Sequence, residues 1–254
     1  MSTRGTGTLM WLLLPIKAFD SAKSRLSNLL TTSERSELAQ AMAADVLSTV
    51  AHHPAFSRVV VCSGDQRAQT LADAYNADFL DDLPSENTGL DQSVHHAVGR
   101  LLADGVTELA VIHCDLPLLT RTEIDHFVNI HQRGEGRSMT ITPVRRRLGT
   151  NLLAWRPLAG FSTQYGEDSF RRHCDLAHRL ALHVNFCPSP GGALDIDTLD
   201  DLQAFLLDPR RDLGLLTRRC LARHGLIDRI LSARATHEFA RVPGTLTPEL
   251  TKSS

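Results

Sequence analysis

An α/β fold built on a mostly parallel sheet follows from three features of this chain. Short apolar, β-branched runs alternate with longer stretches of helical periodicity, as expected of a sheet covered by helices. One run, 109–113, is almost continuously apolar, which suits a central strand buried on both faces. The 254 residues are 42% hydrophobic and 22% charged, enough apolar surface for one sizeable core plus an appendage.

The elements follow in order. The apolar run 9–16 reads as the first strand. Arg4 ahead of it gives a likeness to a signal peptide, but Pro15, Lys17 and Lys23 follow at once and no small-x-small cleavage pattern does. Thr31 and Glu34 form a capping box, behind which Leu38, Met42, Val46 and Val50 recur at helical spacing. Residues 58–62 make the second strand, 66–75 a helix, 78–80 a short strand, and the polar stretch 81–89 a loop. Gly89 or Leu90 opens a helix that ends near 104–105. After the strand at 109–113 come a helix over 121–132, strand pieces at 139–142 and 151–155, and a helix over 168–181. A strand at 182–186 and a helix over 198–207 complete the alternation, and Pro209 closes it. Beyond it, Arg210, Arg211, Arg218, Arg219, Arg223, Arg229 and Arg234 punctuate two short helical patterns. The expected division is therefore a main domain, 1–209, and a C-terminal helical extension, 210–254. The extension could pack on the domain or make a homodimer contact.

Composition narrows the function. A formal net charge of −2 argues against a nucleic-acid groove, which carries a strong basic excess. Cys62, Cys114, Cys174, Cys187 and Cys220 are scattered and form no CxxC pair, so neither a disulfide framework nor a zinc site is indicated. A reducing, cytoplasmic setting suits them. No segment approaches the ~20 apolar residues of a membrane-spanning helix. The twelve histidines, among them His52-His53 and His95-His96, fit no metal-ligand spacing and read mostly as surface or packing residues.

Five local signals carry chemistry. Pro15-Ile16-Lys17 and Ala22-Lys23-Ser24-Arg25-Leu26 place three cations directly after the first strand, where open α/β sheets bind ligands. Such a cluster suits a polyphosphate, although a solvated basic loop would look similar. Neither GxGxxG nor GxxxxGK[ST] is present, so no dinucleotide or P-loop site is indicated. Asp115, in His113-Cys114-Asp115-Leu116-Pro117, leaves the central strand on a proline turn, either to hold a metal or to shape the turn. Asp195 and Asp197 stand two apart in an extended segment and so share a face, which lets both meet one cation. Thr198 with Asp201 caps the next helix, which frees Asp197 from that duty. Gly149-Thr150-Asn151, preceded by Arg145-Arg146-Arg147, and Gly166-Glu167-Asp168-Ser169-Phe170 at a helix start bring hydroxyls and backbone N–H groups suited to a phosphate.

Taken together and in this order, with Gly89-Leu90 and Asp115-Leu116-Pro117-Leu118 between them, these motifs resemble the CofC-type guanylyltransferases of coenzyme F-420 biosynthesis. These form part of the molybdopterin-guanylyltransferase-like group of nucleotidyltransferases. The resemblance covers residues 9–207. It implies a three-layer, Rossmann-like fold of the nucleotide-diphospho-sugar-transferase kind, with a mixed, mostly parallel sheet and helices on both faces. It implies GTP as donor and Mg²⁺ held by Asp115, Asp195 and Asp197. The acceptor implied is a small phospho-acid: 2-phospho-L-lactate, phosphoenolpyruvate or 3-phospho-D-glycerate. The last is favoured, because Arg145–Arg147 could reach the carboxylate of a longer acid.

By the same resemblance Lys17, Lys23 and Arg25 meet the donor phosphates, and Thr150, Gly166 and Ser169 the acceptor phosphate. Pro15, Gly89 and Leu90 line the nucleotide. Asp91 stands where many members carry Asn, and its carboxylate can accept from guanine N1–H and N2–H₂. A partner transferase then joins the product to a deazaflavin. Two other readings compete: a nucleotidyltransferase of the same fold with a molybdopterin or sugar-phosphate acceptor, and a catalytically silent scaffold that docks the partner enzyme.

Overall fold

The computed structural model describes residues 10–81, 89–134, 136–144 and 148–233. Seven strands form one sheet: β1 (Met10–Pro15), β2 (Phe56–Ser63), β3 (Asp78–Asp81), β4 (Leu109–Ile112), β5 (Ser138–Pro143), β6 (Thr150–Arg156) and β7 (His183–Phe186). Their order is β3-β2-β1-β4-β6-β5-β7, so the run expected at the centre is the middle strand. β1 pairs in parallel with β2 and β4, and β2 with β3, while β6 runs antiparallel to both its neighbours and β7 parallel to β5.

Strand alternation sorts the core into two layers. Leu12 and Leu14 of β1, with Ala110 and Ile112 of β4, face one cluster, and Leu13, Leu109 and Val111 face the other. The first cluster is closed by α1 (Thr32–Val50), α2 (Gln66–Ala74), α4 (Arg121–Arg133) and α6 (Leu199–Leu207), the second by α3 (Leu90–Ala103) and α5 (Ser169–Arg179). The result is the three-layer α/β architecture expected. Helices α1, α4 and α6 each open on a complete capping box, Thr31/Glu34, Thr120/Glu123 and Thr198/Asp201, which satisfies donors that a helix start leaves orphaned.

Helices α7 (Leu215–Arg223) and α8 (Leu226–Ser232) follow Pro209; α7 packs on α1, and α8 on α6 and α7. Leu221, Leu226 and Ile230 are fully buried in the first cluster. The Asp45 carboxylate of α1 accepts the backbone N–H of Leu216 (3.0 Å) and Thr217 (2.9 Å) and the Thr217 hydroxyl (2.7 Å), which caps α7. Arg229 reaches Glu34 at 2.9 Å, and Arg218 lies over the Phe205 ring. Arg234 and the rest of the C-terminus lie outside the described residues. No helix among the described residues is long and apolar enough to cross a membrane.

Candidate active site

β1 is the switch point of the sheet: from it the chain builds outward to β2 and β3 on one side and to β4 on the other. Ligands of open α/β sheets bind beyond the strand ends at such a point. A cavity of about 420 Å³ lies there, reached by Pro15 and Lys17 from the end of β1 and by Asp115 from the turn after β4. Thr150 of β6, Gly166 and Ser169 of the α5 start, and Asp195 and Asp197 from the segment before α6 line the same cavity.

The three carboxylates converge. Asp115, Asp195 and Asp197 each offer one oxygen within 4.8 Å of the others. Ile196 is fully buried between the two later aspartates and donates its N–H to the Asp115 carbonyl at 3.2 Å, so the extended segment runs beside the β4 turn as the spacing requires. The approach is tight: a Cβ on Gly191 would collide with the Leu118 carbonyl, so glycine is needed there. Glu123 of α4 fastens this loop by accepting the Gly191 N–H at 2.6 Å and the Ser189 hydroxyl at 2.9 Å. Burial, with the neighbouring Asp115 charge, pushes the Asp195 carboxyl up to about 6, while Asn151 holds it by a 3.3 Å hydrogen bond.

The three cations occupy different settings. Lys17 is exposed at the cavity mouth. Lys23 is not: its side chain is 7% exposed, and Nζ sits 2.6 Å from Asp115 and 2.8 Å from Asp197. Burial alone would lower its pKa, but the two carboxylates outweigh it and keep the ammonium charged. Arg25 stands further out, 3.9 Å from Asp197. The loop that carries them is polar at these positions but anchored elsewhere, because Phe19 and Leu26, in the 3-10 turns Phe19–Ser21 and Ser24–Leu26, are buried in the core. Lys23 itself has a φ of 54°, a left-handed conformation uncommon for a side-chain-bearing residue and held here by its two ion pairs.

On the opposite wall, the Thr150 hydroxyl lies 3.0 Å from His173 Nδ1 and 3.5 Å from the Ser169 hydroxyl. Gly166, at a φ of +117°, makes the turn into α5. Leu90 lines the cavity, and Gly89, the residue before it, caps α3. Asp91, half-buried, accepts the Tyr165 N–H at 2.6 Å, so one of its oxygens anchors the loop before α5. Arg145–Arg147 lie outside the described residues.

Comparison with known proteins matches this chain to the family described as "Guanylyl transferase CofC like" over residues 10–212. The chain belongs to that family. A phosphoenolpyruvate guanylyltransferase of Conexibacter woesei is 36% identical over 211 residues, covering 82% of this chain and 93% of its own length. A 2-phospho-L-lactate guanylyltransferase of Archaeoglobus fulgidus is 31% identical, covering 78% and 84%. Among solved structures, a cytidylyltransferase from Leptospira borgpetersenii superposes with a TM-score of 0.53 at 12% identity. It covers 90% of this chain and 99% of its own, a likeness of fold alone.

In and around this CofC-like site stand residues that the sequence motifs do not single out. His113 lines the cavity, and His173, a packing histidine as expected, is fully buried and also bonds Thr150. Asp65, 9% exposed, accepts the Phe19 N–H at 2.9 Å and so fixes the cation loop. Hydrogen bonds from Arg67 hold its carboxyl down at about 2. Its signal was available in the sequence only as an N-cap for α2. Asn151, beside Thr150 in the expected motif, proves to be a brace for the loop that carries Asp195, through Gly192 and Asp195 itself.

Proposed function

We propose that this chain transfers GMP from GTP to a three-carbon phospho-acid, releasing pyrophosphate, in coenzyme F-420 biosynthesis. The observation that supports this reading most is the joining, in one cavity, of a three-carboxylate cluster and a buried ammonium to a hydroxyl pair on the facing wall. The donor set suits Mg²⁺: all-oxygen ligands, mutually within reach, with Asp115 Oδ1 buried and lacking any hydrogen-bond partner. Asp115, Asp195 and Asp197 would hold the ion. Once bound, it would neutralise donor-phosphate charge and favour alignment for in-line displacement.

The remaining work falls to the chain's own groups. Lys17 and Arg25, outermost of the cations, meet the β- and γ-phosphates of the incoming donor. Lys23 stays charged and offsets the negative charge that builds on the departing pyrophosphate. Thr150, Gly166 and Ser169 hold the acceptor phosphate. One of its oxygens attacks the α-phosphorus while the bond to pyrophosphate breaks. That oxygen is already anionic at neutral pH, so no side chain has to remove a proton. Pro15, Gly89 and Leu90 frame the nucleoside.

Phosphoenolpyruvate now stands ahead of 3-phospho-D-glycerate as acceptor. Four relatives at 30–36% identity are named for phosphoenolpyruvate, and the arginines that favoured the longer acid lie outside the described residues. The product is a substrate for the transferase of the next step. A competition assay decides the acceptor: phosphoenolpyruvate, 2-phospho-L-lactate and 3-phospho-D-glycerate at equal concentration with GTP and Mg²⁺, products separated by mass. Guanylated phosphoenolpyruvate is expected to dominate. Dominance of either other acid would reassign the acceptor, and no guanylated acid at all would remove the activity.

A further inference from the structure

His173 has a defined proton arrangement, and it determines what Thr150 can recognise. The backbone N–H of Gln164 lies 2.8 Å from His173 Nε2. A backbone amide can only donate, so Nε2 must be the unprotonated, accepting nitrogen. The ring is fully buried, stacked against Phe161 at 6.2 Å and edge-on to Tyr165 at 5.0 Å between centroids, so it cannot turn to present its other nitrogen. Burial, helped by the neighbouring Arg172 charge, pulls its pKa down to about 3, which agrees with a neutral ring. The single ring proton therefore sits on Nδ1 and is donated to Thr150 Oγ1 at 3.0 Å.

A hydroxyl accepts two hydrogen bonds and donates one. Thr150 Oγ1 already accepts from His173 at 3.0 Å, so the ring cannot take its proton. Its own O–H is therefore left to donate, and Thr150 lines the cavity. We infer that His173 is a positioning residue that keeps the Thr150 O–H free to donate to an anionic oxygen of the phospho-acid acceptor. The inference rests on the acceptor site proposed above and deepens it. A protonated His173 would lose the Gln164 bond, and the opposite tautomer would let Thr150 spend its proton on the ring, leaving a lone pair facing the substrate phosphate.

Two experiments on the full-length chain test this. The first reads the tautomer by long-range ¹H–¹⁵N correlation of the histidine rings, with the His173 signals assigned by their loss in His173→Asn. A neutral ring protonated at Nδ1 throughout pH 6–8 is expected, and protonation at Nε2 would overturn the inference whether or not the acceptor is correct. The second is a kinetic cycle. Thr150→Val is expected to raise the acceptor KM by about 10-fold or more, the scale of one hydrogen bond to a charged group, with the GTP KM little changed. His173→Phe, which keeps a ring but no donor, is expected to do the same. The double variant should add less than about 2-fold, because both remove one interaction. His173→Asn keeps a donor near Nδ1 and is expected to recover part of the loss. Independent, multiplying effects, or a GTP KM that shifts as much as the acceptor KM, would show His173 to be structural only. Wild-type enzyme that guanylates none of the acids would instead remove the proposed function while leaving the tautomer result standing.

Discussion

Three residues show how differently aspartates serve this site. Asp115 and Asp197 share the Lys23 ammonium and stand where a metal would be held. Asp115→Asn or Asp197→Asn is expected to lower turnover by about 100-fold or more, the scale of losing transition-state electrostatics, in initial-rate assays with GTP and Mg²⁺. Near-normal rates in both would remove the metal assignment. Asp65 lies outside the cavity and acts on stability. Its carboxyl is held at about 2 in the fold against an ordinary 3.8, so the folded state binds the proton less readily than the unfolded chain. The stabilisation is therefore complete above the unfolded value and is lost as pH falls through the folded one. Asp65→Asn is expected to cost about 2 kcal/mol at pH 7 in denaturant titrations, with the gap to wild type closing between about pH 4 and pH 2. A gap that persisted undiminished at pH 2 would contradict the ion-pair origin.

Among the elements, α7 depends most on a single distant side chain. It starts on Gly214, at a φ of 62°, with no side-chain cap of its own. Asp45 supplies that cap from α1, 171 positions earlier in the chain than Leu216. Removing it leaves two backbone donors and a buried hydroxyl without their acceptor. Asp45→Ala is expected to destabilise by about 2 kcal/mol while leaving the KM for GTP unchanged, since no part of α7 lines the cavity. Equal stability of variant and wild type would show the cap to be replaced by water. Asp91 plays a comparable part at the start of α3, tying the loop before α5 by its bond to Tyr165.

For the molecule as a whole, we propose that chemistry resides in 1–209 and that the C-terminal segment buttresses α1. Leu221, Leu226 and Ile230 are each fully buried against the same core that supports β1, and burying such a side chain contributes about 1.5–3 kcal/mol. A chain cut after Pro209 uncovers that surface, so thermal melting and light scattering are expected to show a less stable, aggregating protein. A monomeric, fully active 1–209 fragment with an unchanged melting temperature would show the segment to be separable.

The sequence alone determined the order of strands and helices, the central place of 109–113 and the cavity-lining aspartates and lysines. These follow from local signals: periodicity of two or 3.6 residues, capping boxes, and charged residues directly after apolar runs. Asp195 and Asp197 were legible because an extended segment puts every second side chain on one face, and Ile196 between them is buried as that alternation demands. Tertiary structure decided what depends on residues far apart in the chain. His173 gained its meaning only when Gln164, Thr150 and Tyr165 closed around it. Lys23 reads in the sequence as a loop cation suited to a polyphosphate, but becomes a buried bridge once Asp115, 92 residues on, and Asp197, 174 residues on, meet it. A proton's location and a charge's burial are set by which surfaces meet in space, and no spacing along the chain encodes that.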